Sequence, residues 1–389
     1  MALMFRAVLA ALALPFLTEA AGAAEVWIAA KSPGRPGTGT LADPFDGSSQ
    51  AKFDALLSGF EENAVIHLLP GTFLTGGWGD AIGRGGFRVK SGWKLLGGGQ
   101  GKTVLRLNSA FSPYPKPFRH VVIATAWGTE SNGVEVADLT VDVNMGRLSL
   151  RNRLDCADGV GLAGSYNVIH RVEVIHSYGV QGGSEGFPIA CGPADGMPLK
   201  PVLGNVIEDC LVHDYAEAGY DAGIAQGYAV GGIIRRNRVL GTKWLAYQYL
   251  GADGTVADNY CEGALGYASD TGPISNLQIT GNTFRVTDDG IQLCPDPQYS
   301  FSGISIHDNA IFLTRKGGGG LRVFHAGKVN NLSFTGNRID GEAAYQARVE
   351  NPNCADFTVQ GNRPPLPVVV MPPAGDGVAF RNLQGYFNR

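Results

Sequence analysis

Ile279-Thr-Gly-Asn282-Thr-Phe284, Ile306-His-Asp-Asn309-Ala-Ile311 and Phe334-Thr-Gly-Asn337-Arg-Ile339 are three copies of one short pattern. An apolar residue is followed by two residues, an Asn, one further residue and a second apolar side chain. The frame also occurs at Ile234-Arg-Arg-Asn237-Arg-Val239 and Val256-Ala-Asp-Asn259-Tyr-Cys261, and it closes at Val359-Gln-Gly-Asn362. Residues 136–141, 169–174 and 207–212 keep the apolar frame and place Leu139, Val172 and Cys210 in the Asn slot. From Asn237 onward the slots are separated by 22, 23, 27, 28 and 25 residues.

That spacing excludes the common helical repeats, which need about 33 or 34 residues and amphipathic helices. The segments here are short and β-branched and have no 3.6-residue period. A coil of roughly 25 residues with short strands makes a parallel β-helix. An Asn at a fixed bend then stacks on its counterpart about 4.8 Å away and builds an amide ladder. A second strand precedes each Asn motif, as in Gly159-Val-Gly-Leu162, Gly223-Ile-Ala-Gln226, Gly290-Ile-Gln-Leu293 and Gly320-Leu-Arg-Val323. Period-2 alternation sends Val160, Ile224, Ile291 and Leu321 inward. Gly161, Ala225, Gln292 and Arg322 then form one outward row.

Composition agrees with this reading. The 389 residues include 56 Gly, and only 17% are charged. Many tight turns between short buried strands account for both. Lys+Arg is 31 against Asp+Glu 35, a net charge of −4. This balance excludes the basic footprint of a nucleic-acid binder. A 44% apolar content excludes a wholly disordered chain. Residues 1–24 read as a signal peptide, with Arg6 before an apolar run and Ala21-Gly22-Ala23 as a small-residue cleavage pattern. No later segment is apolar enough for a transmembrane span. The expected product is secreted or periplasmic. Residues 25–363 read as one β-helix domain of about 9–11 coils. The proline-rich residues 364–389 read as a strap that leaves the sheet. Cys210 and Cys261 fall two coils apart, too far for a disulfide. Cys156 and Cys191 flank adjacent coils, and their pairing stays open.

The paired strand motifs, covering roughly residues 120–362, resemble the right-handed parallel β-helix of the pectate-lyase-like superfamily. The head resembles it too. Val26-Trp-Ile is an opening strand, and Phe53, Leu56, Leu57 and Phe60 share one face of a short N-terminal capping helix. The fold class is therefore all-β. The resemblance implies an exported carbohydrate-active protein that acts on a polysaccharide along one sheet face, as a lyase or a glycoside hydrolase. A non-catalytic glycan-binding protein is the alternative.

Several residues fit such chemistry. Thr287-Asp288-Asp289-Gly290 resembles the paired aspartates of polygalacturonase-type glycosidases, without their N-T-D, G-H-G and R-I-K companions. With Asp221, it offers the two carboxylates that hydrolysis requires. Arg322 and His325 offer a cation and a base for β-elimination, as the resemblance implies. Lys243, Trp244, Tyr247, Glu185 and Gln292 are candidate substrate contacts, Trp244 as a sugar-stacking ring. Asp155, Asp158, Glu185 and Asp221 precede successive strands, either as turn-formers or as an acidic row for Ca²⁺. The departures at residues 179–203 and 295–300 should wall one groove.

Overall fold

A computed structural model describes residues 24–31, 34–79, 84–85, 87–108, 119–125, 128–144, 156–179, 187–194, 200–215, 222–269 and 272–370. Residues 1–23 of the signal-peptide segment, Asp155, Glu185, Asp221 and residues 180–186 and 195–199 of the 179–203 departure lie outside these residues.

The chain winds as a right-handed parallel β-helix whose coil strands pair in parallel with their counterparts one coil on; the short strands Trp78–Gly79, Arg84–Gly85 and Tyr178–Gly179 pair antiparallel at its edge. Three stacks matter for the site. Sheet A contains Cys156–Ala163, Ile189–Gly192, Ile224–Val230, Ile291–Leu293, Gly319–Val323 and Tyr345–Val349. Sheet B contains Val206–Glu208, Ile233–Arg235, Thr255–Ala257 and Gln278–Thr280. Sheet C contains Leu211–His213, Thr283–Val286, Ala310–Leu313 and Arg338–Gly341. The long strands Arg238–Ala252 and Tyr260–Ser269 run from sheet C around the corner into sheet A.

The B-to-C bend shows why the Asn pattern recurs. Asp138, Arg171, Asp209, Arg236, Asp258 and Asp308 adopt φ between 52° and 57° there, and Gly281, Gly336 and Gly361 fill the same place. The next residue turns into the tube. Each Asn then donates its backbone N–H and its Nδ2 to the Oδ1 of the Asn one coil on. The chain of bonds runs unbroken from Asn237 to Asn362. Cys210 joins through its N–H, at 2.9 Å from Asn237 Oδ1. A second, shorter amide pair falls outside that pattern. The Oδ1 of Asn167 accepts from Val134, and that of Asn205 accepts from Asn167, both at 2.9 Å.

The inward row is as the alternation predicts. Val160, Ile224, Ile291 and Leu321 are fully buried in one continuous core. Phe53 and Leu57 of the helix Gln50–Gly59 join that core, with Phe53 against Phe73 and Phe87. Cys191, Cys210, Cys261, Cys294 and Cys354 are buried, and Cys191, Cys210, Cys261 and Cys354 are free thiols; the side chain of Cys156, and with it the Cys156–Cys191 pairing, lies outside the described residues. Burial pushes the Cys210 thiol up to about 12.

One expectation fails at the far end. The proline-rich segment does not simply leave the sheet, because Val368–Val370 pairs in parallel with Ala347, Arg348 and Val349. Pro364, Pro365 and Pro367 are confined to the connector, and the three valines keep the N–H groups that a ladder needs.

Outside the bend, Arg171 grips Asp138 at 2.6 and 2.7 Å, and Arg236 grips Asp209 at 2.8 and 2.8 Å. Each guanidinium holds its aspartate below the usual carboxylate range. A depressed carboxyl contributes stability above its unfolded pKa, near 3.9, and loses it as pH falls through the folded value. These side chains are about a third to a half exposed, so the effect is modest. The melting temperature should fall as pH drops below about 4. The double variant Asp138→Asn/Asp209→Asn should flatten that fall, and an unchanged slope in a pH series of thermal melts would rule this origin out.

Candidate functional site

Parallel register carries the outward residues of sheet A into one line with one residue per coil. Gly161 sits beside Ala190, Ala190 beside Ala225, and Ala225 beside Gln248. Further along, Ala268 sits beside Gln292, Gln292 beside Arg322, and Arg322 beside Arg348. The line changes character along its length. Its middle is small and covered: Ala225 and Ala268 are each only 6% exposed. Ala222, Leu245, Leu265 and Ala268 form a satellite apolar cluster, and Phe187 and Trp244 pack against it. Its far end is polar.

That polar end is built from three successive coils. Asp289 is buried, and its Oδ1 accepts the Gly319 N–H at 2.9 Å and the Tyr345 hydroxyl at 2.5 Å. Its Oδ2 accepts from Gln292 Nε2 at 3.0 Å. Burial, with the Asp289 charge, pushes the Tyr345 hydroxyl well above the ordinary tyrosine range. Arg322 donates from Nε to Glu350 Oε2 at 2.9 Å and lies 4.5 Å over the Phe324 ring. Burial opposes its charge, but the Glu350 carboxylate outweighs this and raises the Arg322 pKa. Arg348 reaches the other oxygen of Glu350 at 2.6 Å. One carboxylate thus holds two guanidiniums that stand one coil apart and are each about a third exposed. Fixed cations at strand spacing can grip successive anionic groups of a linear ligand.

Two sets of connections border this face. One runs from sheet C into sheet A and includes Lys243, Thr287 and Asp288. Lys243, Glu262, Arg285 and Thr287 line an open concavity of about 460 Å³ there. The other leaves sheet A, and there burial and the neighbouring Tyr299 raise the Tyr228 hydroxyl above the ordinary tyrosine range. The 295–300 departure is thereby tied to the end of an earlier sheet A strand.

The sequence-derived candidates separate on this frame. Asp289, Gln292 and Arg322 share one network. Asp288 is exposed beside it. His325 stands at the end of the Arg322 strand with φ 68°, its Nδ1 3.2 Å from the Cys294 carbonyl and 3.8 Å from Asp296. Lys243 is exposed and Trp244 partly buried. Tyr247 does not fit a substrate contact. It is fully buried inside the tube, and its hydroxyl donates to the carbonyls of Asn237 and Tyr260. Asp158 is also fully buried. Among the described residues no group of three or more His, Cys, Asp or Glu could hold a metal, so the calcium expectation finds no support there. Arg348, Tyr345 and Glu350 were missed. Gln346-Ala-Arg-Val349 aligns with Gly320-Leu-Arg-Val323 one coil earlier, but it lacks the leading glycine that marks the motif.

No protein-family profile and no curated protein sequence matches the chain. Solved structures do. A surface adhesin of Streptococcus pneumoniae, PfbA, superposes with TM-score 0.57 at 14% identity, over 84% of this chain and 91% of that one. The A-module of a mannuronan C-5 epimerase from Azotobacter vinelandii gives 0.53 at 17% identity, over 85% and 95%. A polygalacturonase from Erwinia carotovora gives 0.51 at 12% identity, over 91% and 99%. With parallel register from coil to coil and the Asn ladder at the bend, the chain has the right-handed parallel β-helix fold of the pectate-lyase-like proteins.

Proposed function

We propose that this protein is an exported carbohydrate-active protein that holds an extended polysaccharide along the outer face of sheet A and cleaves it. The observation that carries the reading is the outward line ending in Gln292, Arg322 and Arg348, bordered on both sides by loop connections. A linear polymer fits a linear row, and two buttressed guanidiniums suit carboxylate-bearing sugars. The epimerase and polygalacturonase that share the fold act, by name, on such polymers. No helix of the described residues is long and apolar enough to cross a membrane. A second reading, glycan binding without cleavage, is favoured by one observation. Asp289 and Arg322, the best placed of the sequence-derived catalytic residues, are already engaged by protein partners.

The test is a panel of acidic and neutral polysaccharides, scored for binding and for product. Absorbance from unsaturated uronate ends indicates elimination; new reducing ends without it indicate hydrolysis. The double variant Arg322→Gln/Arg348→Gln should weaken binding of the acidic polymers about tenfold or more, and added salt should mimic part of that loss. An absence of binding across the whole panel refutes the proposal.

A further inference from the structure

The connection from sheet C into sheet A carries a second constellation, far from the arginines. Asp142 closes the strand Glu135–Asp142 and is 3% exposed. Its Oδ2 accepts from Arg106 Nε at 2.7 Å. Its Oδ1 accepts from the Asn144 N–H at 2.9 Å and lies 2.8 Å from His176 Nδ1. His176 follows the strand Val168–Ile175 with φ 58°, a left-handed conformation that a bulky residue rarely adopts. Its backbone N–H is held by the Asp214 carbonyl at 2.9 Å, and its ring is 40% exposed.

This pair differs from the protein's other histidine–carboxylate contacts. His213 engages Glu173 with one ring nitrogen and Asp214 with the other. His170 engages Glu135 and Arg171 in the same way. His307 and His325 also meet a carboxylate at Nδ1, but Asp308 is exposed, Asp296 lies 3.8 Å away and is itself over a third exposed, and His67 meets the exposed Glu25 at Nε2. Among the described residues, His176 is the histidine whose Nδ1 meets a buried carboxylate. Because Asp142 already serves as acceptor to two N–H donors, its Oδ1 receives the Nδ1–H of the ring. The neutral imidazole then presents Nε2 as a lone pair. A buried carboxylate that fixes the tautomer of a half-exposed imidazole is the arrangement that makes a base.

We propose that His176 is the catalytic acid–base of this protein and that Asp142 is its positioning residue. The substrate is a glycan, so the inference rests on the carbohydrate reading above. The reacting proton moves to Nε2 from water in hydrolysis, or from a ring carbon in elimination. It then passes to the leaving oxygen as the glycosidic C–O bond breaks. In hydrolysis the water oxygen bonds to the anomeric carbon, and that one water is consumed. In elimination the C–H electron pair becomes a ring C=C bond, with no other reactant consumed. Asp142 stabilises the imidazolium between the two transfers. From Ile189, the sheet A strand after His176, to Leu321 is five coil steps, about 24 Å at 4.8 Å each. A polymer gripped at Arg322 and Arg348 is long enough to reach the dyad.

The test compares wild type, His176→Gln, Asp142→Asn and, as a control, His213→Gln. Circular dichroism establishes which variants fold, and His176→Gln carries the test if Asp142→Asn does not. His176→Gln should lower kcat about 10²-fold or more, with glycan Kd within about threefold of wild type. Asp142→Asn should lower kcat with KM unchanged, and His213→Gln should leave turnover intact. If His176→Gln keeps kcat within fivefold, or if wild type binds glycan but forms no product, this assignment is wrong while the binding reading stands. If wild type binds nothing on the panel, the carbohydrate reading itself fails.

Discussion

Replacing Asn282 with Leu should remove about 3–5 kcal/mol of stability, more than any surface substitution of similar size. Asn282 is fully buried and sits mid-ladder. Its Oδ1 accepts the Asn259 N–H at 3.0 Å and the Asn259 Nδ2 at 2.9 Å. Its Nδ2 donates to the Val256 carbonyl and to Asn309 Oδ1, both at 2.9 Å. Leucine keeps the branched skeleton of asparagine but is bulkier, and it supplies none of these bonds. The Asn259 N–H and the Val256 carbonyl are then left unpaired where water cannot reach, each costing about 1–3 kcal/mol. Gln278 is exposed at the start of the preceding strand, so Gln278→Ala should stay within about 0.5 kcal/mol. Urea midpoints of the two variants decide the matter. Equal midpoints would mean that the ladder is incidental and that side-chain packing alone sets the coil register.

The ladder was legible because it needs one chemistry at one slot. An amide offers both donor and acceptor, so it alone satisfies the bend from both sides, and it recurs as Asn. Its neighbour was harder to see. The residue before each slot must adopt positive φ, but Asp, Gly and Arg all fill that place, and no residue type repeats. Alternation found the inward row because burial selects apolar side chains at every copy. Alternation also allowed Tyr247 inward, and the structure puts it there rather than among the substrate contacts, because its register places it beside the buried Ile224. The site itself was only partly legible. Asp289 and Arg322 lie in repeats and were found. The partners that define their roles come from later coils, Tyr345 two coils beyond Asp289 and Glu350 one coil beyond Arg322, and only register shows that they meet. Asp142 and His176 are 34 residues apart, and neither belongs to a motif.

Glycine is the residue whose excess the sequence showed most plainly, and its strongest consequence is steric. Gly223→Ala should cost about 3 kcal/mol, the upper range for overpacking a well-filled core. Gly223 precedes the sheet A strand that follows the corner. A methyl group there would sit 2.2 Å from the Ala246 carbonyl oxygen of the next coil and 2.8 Å from Val239 Cγ1. The first of these is backbone and is fixed by the ladder on both sides, so it cannot rotate away. The equivalent residues Gly159, Gly266, Gly290 and Gly320 face Val174, Phe284, Ile311 and Ile339 in the same manner. The row therefore lets sheet C side chains press against the start of sheet A, and it sets where the outward line begins. Gly227, four residues on in the same strand, supplies the contrast. Its added methyl would meet only Pro193 Cδ, at 4.0 Å, and Gly227→Ala should cost well under 1 kcal/mol. If thermal melts show the two alanine variants equally stable, neighbouring coils can part at this corner. The arginine spacing on the outer face would then be adjustable, and a rigid row could not be what selects the polymer.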